Sequence, residues 1–465
     1  MRKRLNVSSR QGHIDIVRLL LEPFLSRVSD RQSVKYLREA LYVSSRQGHI
    51  DIVRLLLEPF LSRVSDRQSV KYLREALYVS SRQGHIDIVR LLLEPFLSRV
   101  SDRQSVKYLR EALYVSSRQG HIDIVRLLLE PFLSRVSDRQ SVKYLREALY
   151  VSSRQGHIDI VRLLLEPFLS RVSDRQSVKY LREALYVSSR QGHIDIVRLL
   201  LEPFLSRASD SQSLECLRGA LYVSSGQGHV DIVRLLLEPF LSRASDRHSL
   251  NCFYKSLYYS SEEGHIDIVR LLLEPFLSRA SDRHSLDNLG NVLYNSSVQG
   301  HVDIVVLLLE PFLSRVSDDQ SLKWLREALQ ISSKEGHIDI VRLLLEPFLS
   351  RASEGESLAG LRNALWASAS NGWSNIYTML LARSVLHLHT SDLEQVSKQG
   401  YAIVSRSRAE ESFDCRICLD LVAVGEEIKL LPCKHSFHSA CLDKELSDGK
   451  TCPYCRPHGE RESGP

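Results

Sequence analysis

Cysteine and histidine residues crowd into one short segment of the chain. Six of the eight cysteines and two histidines lie within residues 415–456, in the order Cys-x2-Cys-x14-Cys-x-His-x2-His-x2-Cys-x10-Cys-x2-Cys. Thiolate sulfur and imidazole nitrogen are ligands that zinc prefers, and eight of them complete two closed tetrahedral sites. A segment of this size buries too little apolar surface to fold alone, so we expect two Zn²⁺ ions to supply its folding energy. The predicted ligands are Cys415, Cys418, Cys433, His435, His438, Cys441, Cys452 and Cys455.

A disulfide framework does not account for this segment, because it would leave both histidines without a role. The order of the ligands, with the local sequences HSFHSACL and CPYCR, resembles the RING finger of the type with two central histidines. We expect Phe437 and Leu442 to form its small apolar core. In the RING family the two zinc sites interleave. The resemblance therefore implies one site of Cys415, Cys418, His438 and Cys441 and a second of Cys433, His435, Cys452 and Cys455.

RING fingers are modules of E3 ubiquitin-protein ligases, which hold a conjugating enzyme charged with ubiquitin and form no covalent intermediate with ubiquitin themselves. The resemblance implies that Ile417 and Pro453 contact the conjugating enzyme, and that Arg456 bonds to both the enzyme and ubiquitin as the linchpin of transfer. Catalysis would then come from orientation of the thioester. Glu445 stands where the family often has tryptophan. It keeps open a second interpretation, a non-catalytic scaffold for protein contacts.

One repeated sequence makes up most of the remaining chain, and the elements that it forms must position the Cys/His segment. The sequence GHIDIVRLLLEPFLSR recurs with few changes every 36 residues from Gly12 to Gly336, and a decayed copy follows at Gly372. A constant step without insertions indicates one structural unit per copy, stacked into a solenoid whose core lies between neighbours. The spacing therefore predicts eleven units.

Each unit has the pattern of two helices. In the second helix, Asp51, Arg54 and Glu58 form one polar stripe and the other positions are apolar, which indicates burial on two sides. Pro59 disfavours helix at the residue before it, so we expect this helix to end or kink at Glu58. The first helix is predicted to end where Gly48 breaks the apolar pattern.

The helical part of the unit, ALYVSSRQGHIDIVRLLLE, resembles an ankyrin repeat. The unit is longer than the roughly 33 residues of that family and lacks the glycines of its projecting β-turn finger, so an all-helical hairpin repeat is an open alternative. Either repeat gives a mostly α fold. We predict an α-solenoid of eleven ankyrin-like helical hairpins followed by a small zinc-stabilised RING domain of α+β type.

Later units of the solenoid differ from the early copies, mainly before and inside the first helix. In ankyrin-like solenoids the first helices line the concave surface, so the resemblance makes the changed residues candidates for binding a protein substrate. Neutral drift on a solvated face is the alternative. The candidates are Glu215, Asn251, Tyr254, Asp287, Asn288 and Trp324.

The Gly-His pairs between the helices offer one histidine per unit. Because no second ligand lies in register with them, we expect these histidines to hydrogen-bond to the local turn rather than to bind metal. Two further cysteines, Cys216 and Cys252, are expected to be ordinary thiols.

Composition and charge limit the class of protein and its location. The chain has 465 residues, 43% of them hydrophobic, and a net charge of +6, which is typical of a folded protein. No apolar run is long enough for a signal peptide or a membrane span, so we expect no membrane partner. Cysteines clustered with histidines suit a reducing compartment, and we expect a cytoplasmic or nuclear location. Basic and acidic residues are interleaved in the repeats, which disfavours nucleic acid as a partner.

The sequence thus predicts four segments: an ankyrin-like solenoid at 1–383, a linker at 384–413, a RING-type zinc finger at 414–457 and a disordered tail at 458–465. Their combination predicts an E3 ubiquitin ligase. In it the solenoid recruits an unknown protein substrate, and the RING binds the ubiquitin-conjugating enzyme and its ubiquitin.

Overall fold

The computed structural model describes residues 2–27, 29–280, 283–387, 405–408, 412–418, 420–430 and 435–447. Of these residues 80% are helical, in 23 helices that follow a repeated arrangement before a small Cys/His domain. None of the described helices combines the length and the apolarity needed to cross a membrane. The chain forms two compact units, Met1–Ala244 and Ser245–Pro465.

Helices occur in pairs through the first unit, and from α3 onward a longer helix alternates with a shorter one. The helices that come first in each pair are α1 (Arg2–Gln11), α3 (Asp30–Gln47), α5 (Asp66–Gln83), α7 (Asp102–Gln119), α9 (Asp138–Gln155), α11 (Asp174–Gln191) and α13 (Asp210–Gly226). Their partners are α2 (Ile14–Arg27), α4 (Ile50–Leu61), α6 (Ile86–Leu97), α8 (Ile122–Leu133), α10 (Ile158–Leu169), α12 (Ile194–Leu205) and α14 (Val230–Leu241).

A glycine separates the two helices of each pair, as α3 and α4 show. Gly48 has φ of 85°, a left-handed conformation that costs glycine little, and it ends α3 as the sequence predicted. The following N–H, of His49, donates to Ser44 O at 3.0 Å and satisfies a carbonyl at the helix end. Helix α4 then begins at Ile50 with Asp51 in its first turn, where a carboxylate favours the positive end of the helix dipole.

Burial in α4 follows the predicted pattern. The polar stripe of Asp51, Arg54 and Glu58 is exposed. The buried side chains are Ile52, Val53, Leu56, Leu57 and Phe60. Phe60 meets the ring of Tyr72 on α5 edge to face, with ring centroids 6.1 Å apart, so the apolar face of one pair packs against the first helix of the next.

The sequence predicted an end or a kink at Glu58, and the end was wrong. Helix α4 runs through Pro59 and ends at Leu61. Proline removes one backbone donor, but here it lies in the last turn, where little helix remains to be disrupted. The nearby carbonyls are satisfied, because the N–H of Ser62 donates to Glu58 O at 3.0 Å and Arg63 Nη1 donates to Pro59 O at 3.2 Å.

Short connections join each pair to the next. Only residues 62–65 separate α4 from α5, and no strand occurs in the described part of the chain before residue 405. A connection of this length leaves no room for a projecting β-turn finger, which agrees with the missing finger glycines in the sequence.

The histidines of eight Gly-His pairs bond between helix pairs, not within their own turns as the sequence suggested. His85 Nε2 donates to the carbonyl oxygen of Arg46, at the end of α3, at 3.1 Å. The same bond recurs with a 39-residue separation, for example from His121 to Arg82 at 3.1 Å. Each imidazole therefore satisfies a carbonyl at the end of the preceding pair's first helix and ties consecutive pairs together.

The second unit continues the alternation and ends in the small domain. Its first-position helices are α15 (Asp246–Glu262), α17 (Arg283–Gln299), α19 (Asp318–Glu335) and α21 (Glu354–Ser370). Their partners are α16 (Ile266–Leu277), α18 (Val302–Arg315), α20 (Ile338–Leu349) and α22 (Ser374–His387). The small domain contains β1 (Ser405–Arg408), β2 (Phe413–Asp414), β3 (Leu421–Val422), β4 (Glu427–Leu430), β5 (Ser436–His438) and α23 (Ser439–Ser447).

Two antiparallel sheets organise the small domain. One has the order β1-β4-β5, and the other pairs β2 with β3. Ile428 on β4 lies opposite His438 on β5, and Phe413 lies opposite Val422. Strand β1 lies in the range that the sequence assigned to the linker, whereas residues 388–404 of that linker and the predicted tail at 458–465 lie outside the described residues.

Candidate metal centre

Four predicted ligands converge from three elements of the small domain. Cys415 directly follows β2, Cys418 lies in the turn after it, His438 ends β5, and Cys441 lies in the first turn of α23. The N–H of Cys415 donates to Asp420 O at 2.9 Å and closes the turn that carries the first two thiols. The ligand atoms of the four side chains all lie within 4.8 Å of one another.

The distances between donor atoms suit a tetrahedral zinc ion. Cys418 Sγ lies 3.3 Å from His438 Nδ1, and Cys441 Sγ lies 4.0 Å from the same nitrogen. Bonds of about 2.3 Å to sulfur and about 2.0 Å to nitrogen place such atoms roughly 3.5 Å apart around the metal. Three thiols and one imidazole also match a structural zinc site in composition. The donor set therefore fits a zinc ion held by Nδ1 of His438.

Burial and hydrogen bonding shift the pKa values of Cys415 and Cys441 in opposite directions. Burial would raise the pKa of the Cys415 thiol, but hydrogen bonds from the backbone of Cys418, His438 and Ile417 and from the His438 side chain lower it to about 7. Burial, followed by the neighbouring thiol groups of Cys418 and Cys415, raises the pKa of Cys441 to about 11. Without a cation the cluster thus favours one thiolate and disfavours a second, and a bound divalent metal would offset that repulsion.

A carboxylate orients the histidine from behind. His438 Nε2 lies 3.4 Å from Glu426 Oε2, and the N–H of Ala423 donates to the same oxygen at 3.0 Å. Zinc-bound histidines usually place their second nitrogen against such a group, which fixes the tautomer and the ring orientation. Sequence reasoning missed Glu426, since it is one of two adjacent glutamates and only the fold shows which of them faces His438.

A small apolar core holds the ligand-bearing elements together. It consists of Cys415, Val422, Ile428, Phe437 and Leu442, with Phe413, Ile417 and Cys441 packed against it. The prediction of Phe437 and Leu442 as core residues is confirmed, because both are fully buried. Ile417 is half-buried against this core. The domain thus combines a minimal core with a Cys/His cluster.

Residues 413–456 match the Ring finger domain family. Within 52 residues the chain is 42% identical to E3 ubiquitin-protein ligase SDIR1 of Arabidopsis thaliana, covering 11% of this chain and 19% of that protein. Within 85 residues it is 49% identical to E3 ubiquitin-protein ligase ZNRF3 of Homo sapiens, covering 16% and 9%. Within 48 residues it is 48% identical to Probable E3 ubiquitin-protein ligase ATL45 of Arabidopsis thaliana, covering 10% and 24%.

The chain spans less than a quarter of the length of each of these relatives, 24% at most. The small domain is therefore a RING finger that resembles those of E3 ubiquitin ligases. Its cluster of Cys415, Cys418, His438 and Cys441 could bind zinc.

The remaining predicted RING residues lie partly beyond the described part of the chain. His435 is described and is half-buried just before β5, and Glu445 lies within α23. The predicted residues that fall outside the described ranges are Cys433, Cys452, Pro453, Cys455 and Arg456.

Three of the candidate substrate-binding residues contact a neighbouring first helix in the second unit. Tyr254 on α15 accepts a hydrogen bond from Asn291 Nδ2 on α17 at 2.7 Å. Trp324 Nε1 on α19 donates to Asp287 Oδ1 on α17. The indole also covers Gly290 so closely that a Cβ there would clash with it. These side chains therefore join neighbouring first helices.

The other candidates differ in their surroundings. Glu215 is exposed and lies 3.2 Å from Arg182 Nη1 as an ion pair. Asn251 is exposed, and Asn288 is half-buried. Beside Glu215, burial raises the pKa of the Cys216 thiol to about 12, so this cysteine stays protonated and unreactive near neutral pH.

Proposed function

We propose that the chain is a RING-type E3 ubiquitin-protein ligase whose solenoid recruits a protein substrate and whose RING binds a ubiquitin-charged conjugating enzyme. The observation that carries this proposal is the cluster of Cys415, Cys418, His438 and Cys441 inside residues that match the Ring finger domain family. Relatives named as E3 ubiquitin-protein ligases support the same activity.

Two zinc ions complete the proposed domain. The second would be held by Cys433, His435, Cys452 and Cys455, the four remaining ligands of the sequence pattern. Zinc holds its ligands in place and supplies folding energy to a domain whose apolar core is small. It takes no part in ubiquitin chemistry in this proposal.

Transfer itself would depend on orientation. Ile417 and Pro453 would contact the conjugating enzyme, while Arg456 would bond to both that enzyme and ubiquitin and restrict the thioester to a reactive geometry. No covalent bond between ubiquitin and the RING is required. The acceptor lysine belongs to the substrate.

Substrate recruitment is assigned to the solenoid of eleven ankyrin-like units. A substrate bound there has its lysines at a high effective concentration near the RING, because both lie in one chain. A cytoplasmic or nuclear location, where conjugating enzymes and reduced thiols coexist, suits this role.

Self-ubiquitination tests the proposal. The purified full chain, incubated with ubiquitin, activating enzyme, ATP and a panel of conjugating enzymes, is expected to form ubiquitin chains. Arg456→Ala should weaken them by removing the linchpin, and Cys433→Ser should abolish them and lower the zinc content from two ions per chain. Arg461→Ala, outside the matched range of 413–456, is the control and should match the native protein.

A non-catalytic scaffold is the second candidate, and Glu445 at the position often held by tryptophan is the observation that favours it. A zinc-loaded protein that stays inactive with every conjugating enzyme would support the scaffold. Activity gained in Glu445→Trp would then locate the cause at this position.

A further inference from the structure

A groove runs across the first helices of the first compact unit. It has a volume of about 1670 Å³ and is lined by residues from α5, α7, α9, α11 and α13. One tyrosine from each helix lines it, at intervals of 36 residues. These tyrosines are Tyr78, Tyr114, Tyr150, Tyr186 and Tyr222. The groove is therefore a regular surface, with the same side chains presented once per repeat.

Charge in the groove is strongly unbalanced. Eight arginines line it against four glutamates. Arg74 Nη2 lies 2.9 Å from Glu111 on the next helix, and Arg146 Nη2 lies 2.9 Å from Glu183. These pairs cross from one repeat to the next and neutralise part of the positive charge. The excess must come from other arginines.

Arg118, Arg154 and Arg190 supply three of the four excess charges, one per repeat, and Arg218 supplies the fourth. The first three are exposed and line the groove near the ends of α7, α9 and α11. Among the residues that the structure describes, no carboxylate lies within ion-pair distance of these three guanidinium groups. Their backbone carbonyls accept the histidine bonds of the following repeats, so the side chains are available to a partner.

We propose that this groove binds an extended acidic polypeptide segment with a carboxylate at about every third residue. The proposal rests on the proposed function, since it names the chemical class of the substrate segment that the solenoid would recruit. It places binding mainly on the early, nearly identical repeats, and α13 is the one helix that a divergent repeat contributes to the groove.

Spacing supports this partner. Neighbouring packed helices lie about 8–10 Å apart, so Arg118, Arg154 and Arg190 recur at about that interval. A polyproline II segment advances about 9.3 Å in three residues and returns its side chains to the same face. One carboxylate per turn of such a segment can therefore meet one arginine per repeat, with the tyrosine rings packing against the residues between.

The paired glutamates disfavour a nucleic acid strand. A strand carries a negative charge on every nucleotide and cannot avoid Glu111, Glu147 and Glu183, whereas a peptide can place neutral residues over them. Later repeats lack the key arginine, because Gly226, Glu262 and Val298 occupy its position and Lys334 replaces it in the tenth repeat. The proposed binding surface is thus specific to the early copies.

Peptide binding by the full-length protein tests the proposal. The probe is a fluorescent peptide of five Glu-Pro-Pro repeats, followed by anisotropy at physiological salt. A peptide of the same composition with its glutamates consecutive tests the spacing, and single-stranded oligo(dT) of equal length tests the nucleic acid. The groove variant combines Arg118→Gln, Arg154→Gln and Arg190→Gln.

The matched control variant combines Arg126→Gln, Arg162→Gln and Arg198→Gln. These exposed arginines lie on the second helices and pair with aspartates three residues earlier, at 3.8, 3.6 and 3.5 Å. Both variants remove the same charge. The groove variant is expected to bind the periodic peptide about tenfold or more weakly, and the control less than about twofold more weakly, than the native protein.

Three results would overturn the proposal: equal weakening in both variants, equal binding of the clustered peptide, or tighter binding of oligo(dT) than of the periodic peptide. Self-ubiquitination of the same preparations separates the two proposals. Ubiquitin transfer without peptide binding refutes the proposed role of the groove and leaves the ligase proposal standing. Peptide binding without ubiquitin transfer refutes the ligase proposal and leaves the proposed role of the groove standing.

Discussion

At His438 the two ring nitrogens have different roles. Nδ1 faces the thiols of Cys418 and Cys441, while Nε2 lies 3.4 Å from the Glu426 carboxylate. Because that carboxylate favours the tautomer with a proton on Nε2, it leaves Nδ1 free to bind metal. We therefore expect the affinity of this cluster for zinc to depend on Glu426, which is not itself a ligand.

Replacing Glu426 with alanine should weaken zinc binding about 10- to 100-fold, as expected when the carboxylate behind a ligating histidine is lost. Competition with a chromophoric chelator measures the affinity. Glu427→Ala is the matched control, since this neighbouring glutamate is exposed and lies on β4. Unchanged affinity in Glu426→Ala, or an equal loss in both variants, would contradict the role assigned to Glu426.

At the scale of residues, the sequence predicted the Cys/His cluster but not the carboxylate of Glu426 that lies beside His438. The resemblance to RING fingers implied one site of Cys415, Cys418, His438 and Cys441, and the structure brings the ligand atoms of these four residues within 4.8 Å of one another. Glu426 could not be predicted, because its contact with His438 depends on how the β4-β5 hairpin places the preceding turn. The spacing of cysteines and histidines in the sequence indicates metal ligation, whereas the contact of Glu426 with His438 results from the pairing of β4 with β5.

At the scale of elements, the junction between two helices does more than reverse the chain. Gly300 ends α17 with φ of 82°, and a Cβ on it would lie 2.6 Å from the imidazole of His337 in the next pair. That imidazole donates from Nε2 to Val298 O at 3.0 Å. The glycine thus allows both the turn and the bond that joins consecutive pairs.

Gly300→Ala should lower the free energy of unfolding by at least about 1 kcal/mol, since a left-handed conformation alone costs alanine about that much. Gly355→Ala is the control. Gly355 lies inside α21, and a methyl group added there would meet nothing within 4 Å, so alanine should be neutral or stabilise the helix by up to about 1 kcal/mol. Urea denaturation followed by circular dichroism compares the unfolding midpoints of the two variants. Equal midpoints would refute the packing argument.

Helix type and order could be predicted at this scale because apolar periodicity is local. Gly48 was correctly predicted as the break, and the apolar face of α4 is buried as its pattern indicated. The histidine bond was missed because its acceptor lies 39 residues earlier. The end of α4 was missed because proline near a helix C-terminus disrupts few hydrogen bonds.

For the whole molecule, repetition implies that stability is a sum over neighbouring helix pairs. Removing residues 84–119, one full period of 36, should leave a folded protein with a slightly lower unfolding midpoint and unchanged self-ubiquitination. Removing residues 102–119 alone deletes α7 and leaves the apolar face of a short helix without its partner. This shorter deletion should cause aggregation or partial unfolding, visible by circular dichroism and gel filtration. Greater damage from the longer deletion would contradict the additive picture.

Repeat organisation was readable from the sequence because every copy has the same length, whereas the excess charge of the groove depends on which arginines find partners. Arg110 and Arg118 have the same residue type, yet of these two only Arg110 lies within ion-pair distance of a glutamate among the described residues, Glu147 at 3.0 Å. Such pairing arises between repeats and is not visible in a single copy.

The most direct test of the central claim is single-turnover discharge of a ubiquitin-charged conjugating enzyme onto free lysine, with and without the purified, zinc-loaded protein. Free lysine removes the need for a substrate, so the rate reports on the RING alone. We expect the native protein to accelerate discharge about tenfold or more by orienting the thioester, and Arg456→Ala to lose most of that acceleration. Equal discharge rates with and without the native protein, across conjugating enzymes that bind it, would contradict the assignment as a ubiquitin ligase.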